Sequence, residues 1–333
     1  MRSRAVMRCT VLLAVLAAVT PVIAQEVSGV EHWVEQAGLK LYVWEKYLGS
    51  PTGKPVVILV HGSATAGRES FDLQVPGQPS YSLMDVLARE GFDVFALDTR
   101  GFGRSTRPDG HMTTQEASED LTAVIDALLK IRGSQKVHLL GWSWGTQYGG
   151  MFIMAHPEKV ERYVSYAQMH VNSPDLAKRR PRLEAFRKTP YVTIPEAGWK
   201  PRFASMTPAA ANDPAVVDAF AKAAVQVEVK TPTGPQLDMV TLMPMLNPKL
   251  MPVPTMLIHG EYDDVADLDG LLPLFQQLPN PYKRYVVIPN VGHMMHLQGG
   301  HRLFQHEVVS FLKQEIRRGG TPHKNRHRLS LGR

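Results

Sequence analysis

Short runs of apolar, often β-branched residues recur along the chain and alternate with longer amphipathic segments. Runs that are apolar throughout are typical of parallel strands covered on both faces. A looser alternation over 34–47, broken near Gly38, predicts an antiparallel strand pair ahead of them. The pattern predicts further strands at 56–60, 92–97, 137–140, 160–167, 255–258 and 284–288.

Helical patterns lie between these strands. The clearest covers 113–132, where Thr113 and Glu116 have the spacing of a capping box and Gly133 supplies the stop. Segments 82–89 and 302–317 are further helix candidates. Strands that alternate with helices predict an α/β fold with a doubly wound, mostly parallel sheet.

The alternation of strands and helices stops in one segment, 169–252, which has many prolines and methionines and only short helical patches. We interpret it as a helical cap inserted between two parts of the core. The predicted organisation is therefore a first core part at 25–168, the cap at 169–252 and a second core part at 253–316.

The composition is that of a globular protein, except that both ends of the chain are rich in basic residues. With 44% hydrophobic and 20% charged residues, the chain is ordinary globular protein. The formal charge of +6 comes from the termini, because residues 25–316 hold 28 basic and 31 acidic residues. A nucleic-acid-binding domain would carry its basic excess on the fold itself, so that class is not favoured.

The N-terminus has the order of a secretory signal. Three arginines precede nine apolar residues at 11–19, and Val22-Ile23-Ala24 offers a cleavage site. Nine residues are too few for a membrane span, which needs about 20. We expect residues 1–24 to be removed and the protein to be exported, to the periplasm or the medium. The basic segment 317–333 is expected to be a disordered tail.

The segment Gly141-Trp142-Ser143-Trp144-Gly145 follows the strand at 137–140 and precedes a helical pattern at 146–155. This is G-x-S-x-G in a strand–turn–helix context. Such a tight turn strains the serine backbone and exposes its hydroxyl, while the glycines let strand and helix pass closely. The context predicts a nucleophilic serine.

With this motif the chain resembles the α/β-hydrolase family from about residue 30 to 312. Four more segments match in order: His61-Gly62-Ser63 at the oxyanion-hole loop, Asp98 to Ser105 as D-x-R-G-x-G-x-S, Gly260-Glu261-Tyr262-Asp263 at the acid, and Val291-Gly292-His293 at the histidine. The resemblance implies an eight-stranded sheet with a cap and the chain order Ser, Asp, His.

The resemblance implies a role for each matched residue. Ser143 would attack a carbonyl carbon, His293 would accept its proton, and Asp263 would orient the imidazole. The backbone amides of Ser63 and Trp144 would form the oxyanion hole. Asp264, one residue after Asp263, remains a rival acid, because strand ends are read from sequence with an error of a residue or two.

No metal or organic cofactor is expected. The single cysteine, Cys9, lies in the predicted signal, so the mature chain has no thiol nucleophile or thiolate ligand. His296 and His301 follow His293 closely, and three histidines so close in sequence could form a metal-binding site. Because His293 already has a role in the implied triad, we expect no metal there.

The predicted activity is that of a serine hydrolase acting on a small to medium, largely apolar carboxylic ester. Trp142, His170 and Met294 are candidate substrate-binding residues, since they adjoin the serine, a strand end and the histidine. Three alternatives stay open: an aminopeptidase of the proline iminopeptidase type, which would use cap acids such as Glu228 and Asp238; a carbon–carbon bond hydrolase; and a non-catalytic binding protein. The sequence leaves the oligomeric state open.

Overall fold

The computed structural model describes residues 26–171, 174–204, 208–266, 268 and 270–315. The predicted signal at 1–24 and the predicted tail at 317–333 lie outside this part of the chain. Within it, no helix is both long enough and apolar enough to cross a membrane.

Eight strands form one sheet in the order β1-β2-β4-β3-β5-β6-β9-β10, and β7 and β8 form a separate antiparallel pair. Within this sheet, all neighbouring strands from β4 to β10 are parallel. The strand β2 is antiparallel to both of its neighbours, β1 and β4. The predicted α/β fold with a mostly parallel, eight-stranded sheet is confirmed. The strands are β1 Val27–Gln36, β2 Leu39–Leu48, β3 Val56–Val60, β4 Asp93–Leu97, β5 Val137–Trp142, β6 Val160–Tyr166, β7 Tyr191–Val192, β8 Thr231–Pro232, β9 Thr255–Gly260 and β10 Lys283–Ile288.

The hairpin β1–β2 begins earlier than the alternation at 34–47 predicts. Its pairing runs from Val27 opposite Leu48 to a turn at Ala37 and Gly38, which have φ values of 50° and 78°. Positive φ at both central residues is the geometry that matches the twist of the flanking strands. The early part of β1 is largely exposed at the sheet edge, so its sequence carries only a weak alternation.

The helices lie between the strands, as the sequence predicts. The capping box of α3 forms, since Thr113 accepts from the Glu116 amide and Glu116 accepts from the Thr113 amide, and Gly133 ends the helix at φ 61°. The helices are α1 Gly67–Phe71, α2 Leu83–Arg89, α3 Thr114–Arg132, α4 Gly145–Ala155, α5 Pro174–Arg179, α6 Leu183–Lys188, α7 Glu196–Ala204, α8 Pro214–Val227, α9 Gly234–Thr241, α10 Leu271–Gln277 and α11 His301–Lys313.

The topology places the candidate chemistry at one edge of the sheet. The chain crosses from β3 to β4 on one side and then returns to β5 on the other, so the strand order reverses between β3 and β5. Ligands of open α/β sheets bind outside the carboxyl ends of the strands at such a switch point. The segment between β6 and β9, which holds α5 to α9, contributes the other side of the cavity found there.

Candidate active site

Ser143 occupies the turn between β5 and α4 with a backbone φ of 55°. Non-glycine residues rarely adopt this left-handed region, so the turn must be held by its surroundings. The Ser143 amide donates to the Tyr166 carbonyl (2.9 Å), and the Ser143 carbonyl accepts from the amide (2.9 Å) and hydroxyl (2.6 Å) of Thr146. These hydrogen bonds fix the strained backbone and direct the side chain into a cavity.

The glycines around Ser143 are required by close backbone approach. A Cβ atom on Gly145 would lie 2.4 Å from the Val60 carbonyl oxygen, and one on Gly141 would lie 2.6 Å from the Gly145 oxygen. A Cβ atom on Gly62 would lie 3.3 Å from Cβ of Ser143. The serine turn, α4 and the loop after β3 are therefore packed backbone against backbone.

His293 follows β10 and faces the same cavity as Ser143. Its Nδ1 lies 3.0 Å from both carboxylate oxygens of Asp263, which follows β9. Because carboxylate oxygens only accept, Nδ1 carries the proton, and Nε2 is left with a lone pair. An imidazole in this tautomer is set up to accept a proton at Nε2.

The carboxylate of Asp263 is buried and held in its ionised form. Burial by itself would raise the pKa of Asp263, but the charge of His293, its hydrogen bond and the nearby amides together lower it. The amides of Val265 and Ala266 each donate to Oδ1 at 3.0 Å. Asp264, the rival acid, turns away and pairs with Lys178 at 3.1 Å. The structure thus brings Asp263, and not Asp264, to the histidine.

Two aromatic side chains hold the backbone of His293. Nε1 of Trp142 donates to the His293 carbonyl (3.1 Å), and the Tyr166 hydroxyl lies 2.9 Å from the same oxygen and 2.8 Å from Nδ1 of His296. Trp142 was expected to contact substrate; it lines the cavity and also anchors this loop. Tyr166 was missed, since a tyrosine in a buried strand carries no sequence signal for such a contact.

The two predicted oxyanion donors lie beside Ser143. Trp144 immediately precedes α4, and Ser63 lines the cavity on the loop after β3. Among the described residues, none accepts a hydrogen bond from the backbone amide of Ser63 or of Trp144. A backbone N–H group near a nucleophile stabilises a developing oxyanion if it points at it, and this role for the two amides is part of the function proposed below.

His61 sets the orientation of this loop. Its Nε2 accepts from the Thr99 amide (3.2 Å), so Nδ1 carries the proton and donates to the Gly62 carbonyl (2.7 Å). Burial lowers the pKa of His61 to about 4, so the ring is neutral at neutral pH. His61 therefore fixes the peptide unit whose amide belongs to Ser63.

A hydrogen-bond chain joins the loop to the segment above it. Nε2 of Gln236, on α9, donates to the Ser63 hydroxyl at 3.0 Å, and Arg179, on α5, donates to the side-chain oxygen of Gln236. The sequence did not single out either residue. Their partners lie 173 and 57 residues away, and no local pattern reports such contacts.

The cavity above Ser143 has a volume of about 310 Å³. Ser143, His293 and Ser63 line it together with Trp142 and Met294, two of the three predicted substrate-binding residues. His170, the third, is half-buried and does not line it. Apolar side chains that also line it are Phe186, Val192, Ile194, Trp199, Phe220 and Val265, and basic ones are Lys178, Arg179, Arg182 and Arg202.

The remaining histidines near the site make structural hydrogen bonds. Nε2 of His296 donates to the Ser70 carbonyl (2.9 Å), and Nδ1 of His301 donates to the Gln298 carbonyl (2.9 Å). Burial lowers the pKa of His296 to about 3. Within the described part of the chain, no group of three or more histidine, cysteine or acidic residues is arranged to hold a metal ion.

The two cap acids weighed for amine binding serve other contacts. Glu228 is buried and accepts from the Gly103 amide (3.1 Å), and burial together with the charge of Asp98 raises its pKa well above the usual range. Asp238 accepts from the Thr114 amide at 2.6 Å. Neither residue lines the cavity.

Several known proteins resemble this chain in sequence over part of its length. 2-Hydroxymuconate semialdehyde hydrolase of Pseudomonas putida is 26% identical over 244 residues, which is 66% of this chain and 77% of that protein. A proline iminopeptidase of Xylella fastidiosa is 29% identical over 139 residues, 42% of this chain and 40% of that protein. The chain spans 32% to 41% of the length of the first curated relatives that it matches.

Among solved structures, an esterase from Exiguobacterium antarcticum superposes with a TM-score of 0.65 at 18% identity, over 85% of this chain and 99% of that one. At this identity the likeness reports the fold. The sequence model of the alpha/beta hydrolase family matches residues 57–306, which is most of the chain. The protein belongs to the alpha/beta hydrolase family.

Proposed function

We propose that the protein is a serine hydrolase that cleaves a small to medium carboxylic ester through an acyl-enzyme on Ser143. One observation carries the proposal. A serine with a strained, fixed backbone shares a cavity with a histidine whose tautomer is set by a buried aspartate. This arrangement activates a hydroxyl that is otherwise a poor nucleophile at neutral pH.

The chemistry follows from the positions of the groups. As Oγ of Ser143 forms a bond to the ester carbon, Nε2 of His293 takes the hydroxyl proton, and Asp263 stabilises the imidazolium. The amides of Ser63 and Trp144 bind the negative oxygen of the tetrahedral intermediate. The carbon–oxygen bond then breaks, and the departing alcohol takes the proton from His293. Water repeats the sequence on the acyl-enzyme and releases the acid.

The direct test is hydrolysis of p-nitrophenyl esters with acyl chains of several lengths. Wild type is expected to turn them over, and Ser143→Ala is expected to lose at least about 10³-fold in kcat, since removal of a triad member costs this much or more. Equal rates in wild type and Ser143→Ala would refute the proposed nucleophile. The dependence on chain length measures how much of the apolar wall the acyl group contacts.

Carbon–carbon bond hydrolysis is the second candidate. It is considered because a relative that covers 66% of this chain is named 2-hydroxymuconate semialdehyde hydrolase. The same triad would serve, with a carbon leaving group in place of an alcohol. Loss of the absorbance of 2-hydroxymuconate semialdehyde in the presence of wild type, but not of Ser143→Ala, tests this candidate. Turnover of this compound with no turnover of any ester would favour it.

An aminopeptidase is less well supported by the cavity. A free amino group needs an acidic partner, and no carboxylate belongs to the described residues that line the cavity. Glu228 and Asp238, the acids available in the cap, are engaged elsewhere. Hydrolysis of proline p-nitroanilide at rates above those of the esters would reverse this preference. A non-catalytic scaffold would turn over none of these substrates.

A further inference from the structure

Four basic side chains line the cavity that contains Ser143. Lys178 and Arg179 come from α5, Arg182 from the short turn that follows it, and Arg202 from α7. All four side chains line the cavity, whereas no carboxylate belongs to the described residues that do so. We call these four residues the cationic roof.

This charge is local to the roof. Residues 174–192 hold six basic and two acidic residues, although residues 25–316 together carry more acidic than basic residues. A basic stretch on a protein surface is often only a solvated face. Here, however, the stretch lies over a cavity that also contains Ser143 and His293.

Two of the arginines are held by aromatic rings of the cavity wall. The guanidinium of Arg182 lies over the ring of Phe186, 4.9 Å from its centroid, and that of Arg202 lies over the ring of Trp199 at 4.7 Å. A guanidinium stacked on a ring keeps its N–H groups in the guanidinium plane, directed to the side. Arg182 makes no ion pair with any described residue.

The other two members are tied to the site itself. Lys178 is balanced by Asp264, which is the residue after the partner of His293. Arg179 donates to Gln236, which in turn donates to the Ser63 hydroxyl on the oxyanion loop. The roof is thus connected to both sides of the candidate catalytic apparatus.

We propose that the substrate is an ester that carries an ionised carboxylate remote from the scissile bond, and that the cationic roof binds this carboxylate. The inference rests on the proposed function of the site. Planar guanidinium groups match a carboxylate with paired, charge-assisted hydrogen bonds, and a neutral ester cannot form them. The apolar side chains that line the same cavity would contact the carbon chain that joins the two groups.

The test compares two substrates with the same scissile bond and carbon chain: mono-p-nitrophenyl adipate, whose far end is an anion, and its methyl ester, whose far end is neutral. Each is assayed with wild type, Arg182→Gln and Arg180→Gln, with the rate of Ser143→Ala subtracted. Arg180 and Arg182 are both exposed and lie in the same turn, but only Arg182 lines the cavity, so Arg180→Gln changes the net charge equally without touching the roof. Folding of each variant is checked by thermal unfolding.

Wild type is expected to prefer the anionic ester by about tenfold or more in kcat/KM, since one charge-assisted hydrogen bond supplies a factor of this size. Arg182→Gln is expected to reduce this preference by about tenfold, chiefly through KM, and Arg180→Gln to leave it unchanged. The Arg182→Lys variant, which keeps the charge but loses the planar fork, is expected to retain part of it.

Equal kcat/KM for the two esters, or equal effects of Arg182→Gln and Arg180→Gln, would overturn the inference and leave the proposed function intact. If neither ester is hydrolysed and a fluorophosphonate does not label Ser143, the proposed function itself fails. If Arg182→Gln does not fold, the wild-type preference and its loss in 1 M salt decide the matter, because salt screens a charge-based preference.

Discussion

Replacing Gly145 by alanine would insert a methyl group where α4 crosses the end of β3. The added Cβ would lie 2.4 Å from the Val60 carbonyl oxygen and 2.8 Å from that of His61. Both contacts are with backbone, so no side chain can rotate to relieve them. Because Val60 leads directly into the loop that carries Ser63, the displacement would reach the proposed oxyanion hole.

Gly149, one turn later in α4, is the matched control. There an added Cβ would be 3.5 Å from a side-chain atom of Leu139 and 3.7 Å from one of Val60, which are ordinary contacts. Alanine inside a helix is favoured over glycine by about 1 kcal/mol. The same substitution in the same helix is therefore expected to have opposite signs at the two positions.

Gly145→Ala is expected to lower the free energy of unfolding by about 1–3 kcal/mol, the usual cost of an atom forced into a packed interior. It should also lower kcat for a p-nitrophenyl ester, by about 10–100-fold for a shift of up to an ångström at the oxyanion loop. Gly149→Ala is expected to raise the free energy of unfolding by up to about 1 kcal/mol. Urea unfolding followed by tryptophan fluorescence, with ester kinetics on the same preparations, measures both. Equal changes in the free energy of unfolding and in kcat for the two substitutions would show that the close approach of Gly145 to the backbone of Val60 and His61 is not what makes the difference.

Two further predictions concern acidic residues. Asp263→Asn is expected to lower kcat by about 10³–10⁴-fold, because the amide no longer selects the productive tautomer of His293. In the control Asp264→Asn, kcat should stay within about twofold of wild type. Comparable losses of kcat in the two variants would mean that the hydrogen bond from His293 to Asp263 does not select the tautomer. Burial and the charge of Asp98 raise the pKa of Glu228 in the folded protein. The contribution of Glu228 to the free energy of unfolding is therefore fully present below the pKa that this residue has in the unfolded chain, and it is lost as pH rises. Glu228→Gln cannot ionise, so its stability relative to wild type should grow from pH 5 to pH 8, by up to about 1.4 kcal/mol per pH unit. Parallel stability–pH curves from urea unfolding would contradict the raised pKa.

The sheet was predictable because its signals are local. Apolar runs such as that of β3 report burial on both faces, and the capping box at Thr113 and Glu116 marks a helix start within four residues. The order of Ser143, Asp263 and His293 was also predictable, because each follows a recognisable strand. Family resemblance then supplied the roles.

The roof of the cavity was not predictable in the same way. Its residues lie on short helices between prolines, and its contacts join distant positions, as Gln236 does with Ser63. The prolines and methionines of this segment stand out in the sequence, whereas no local pattern marks Arg182 as a cavity residue. Only the fold brings this segment over Ser143. His170 illustrates the reverse case, since its position after β6 suggested the pocket but its side chain does not reach it.

We propose that Ser143 is a nucleophile activated by His293. Intact-mass and peptide mass spectrometry after reaction with a fluorophosphonate tests this directly. We expect a single adduct, located on Ser143, that is absent in Ser143→Ala and forms much more slowly in His293→Ala. Folded wild-type protein that remains unmodified, or an adduct that persists in Ser143→Ala, would contradict it.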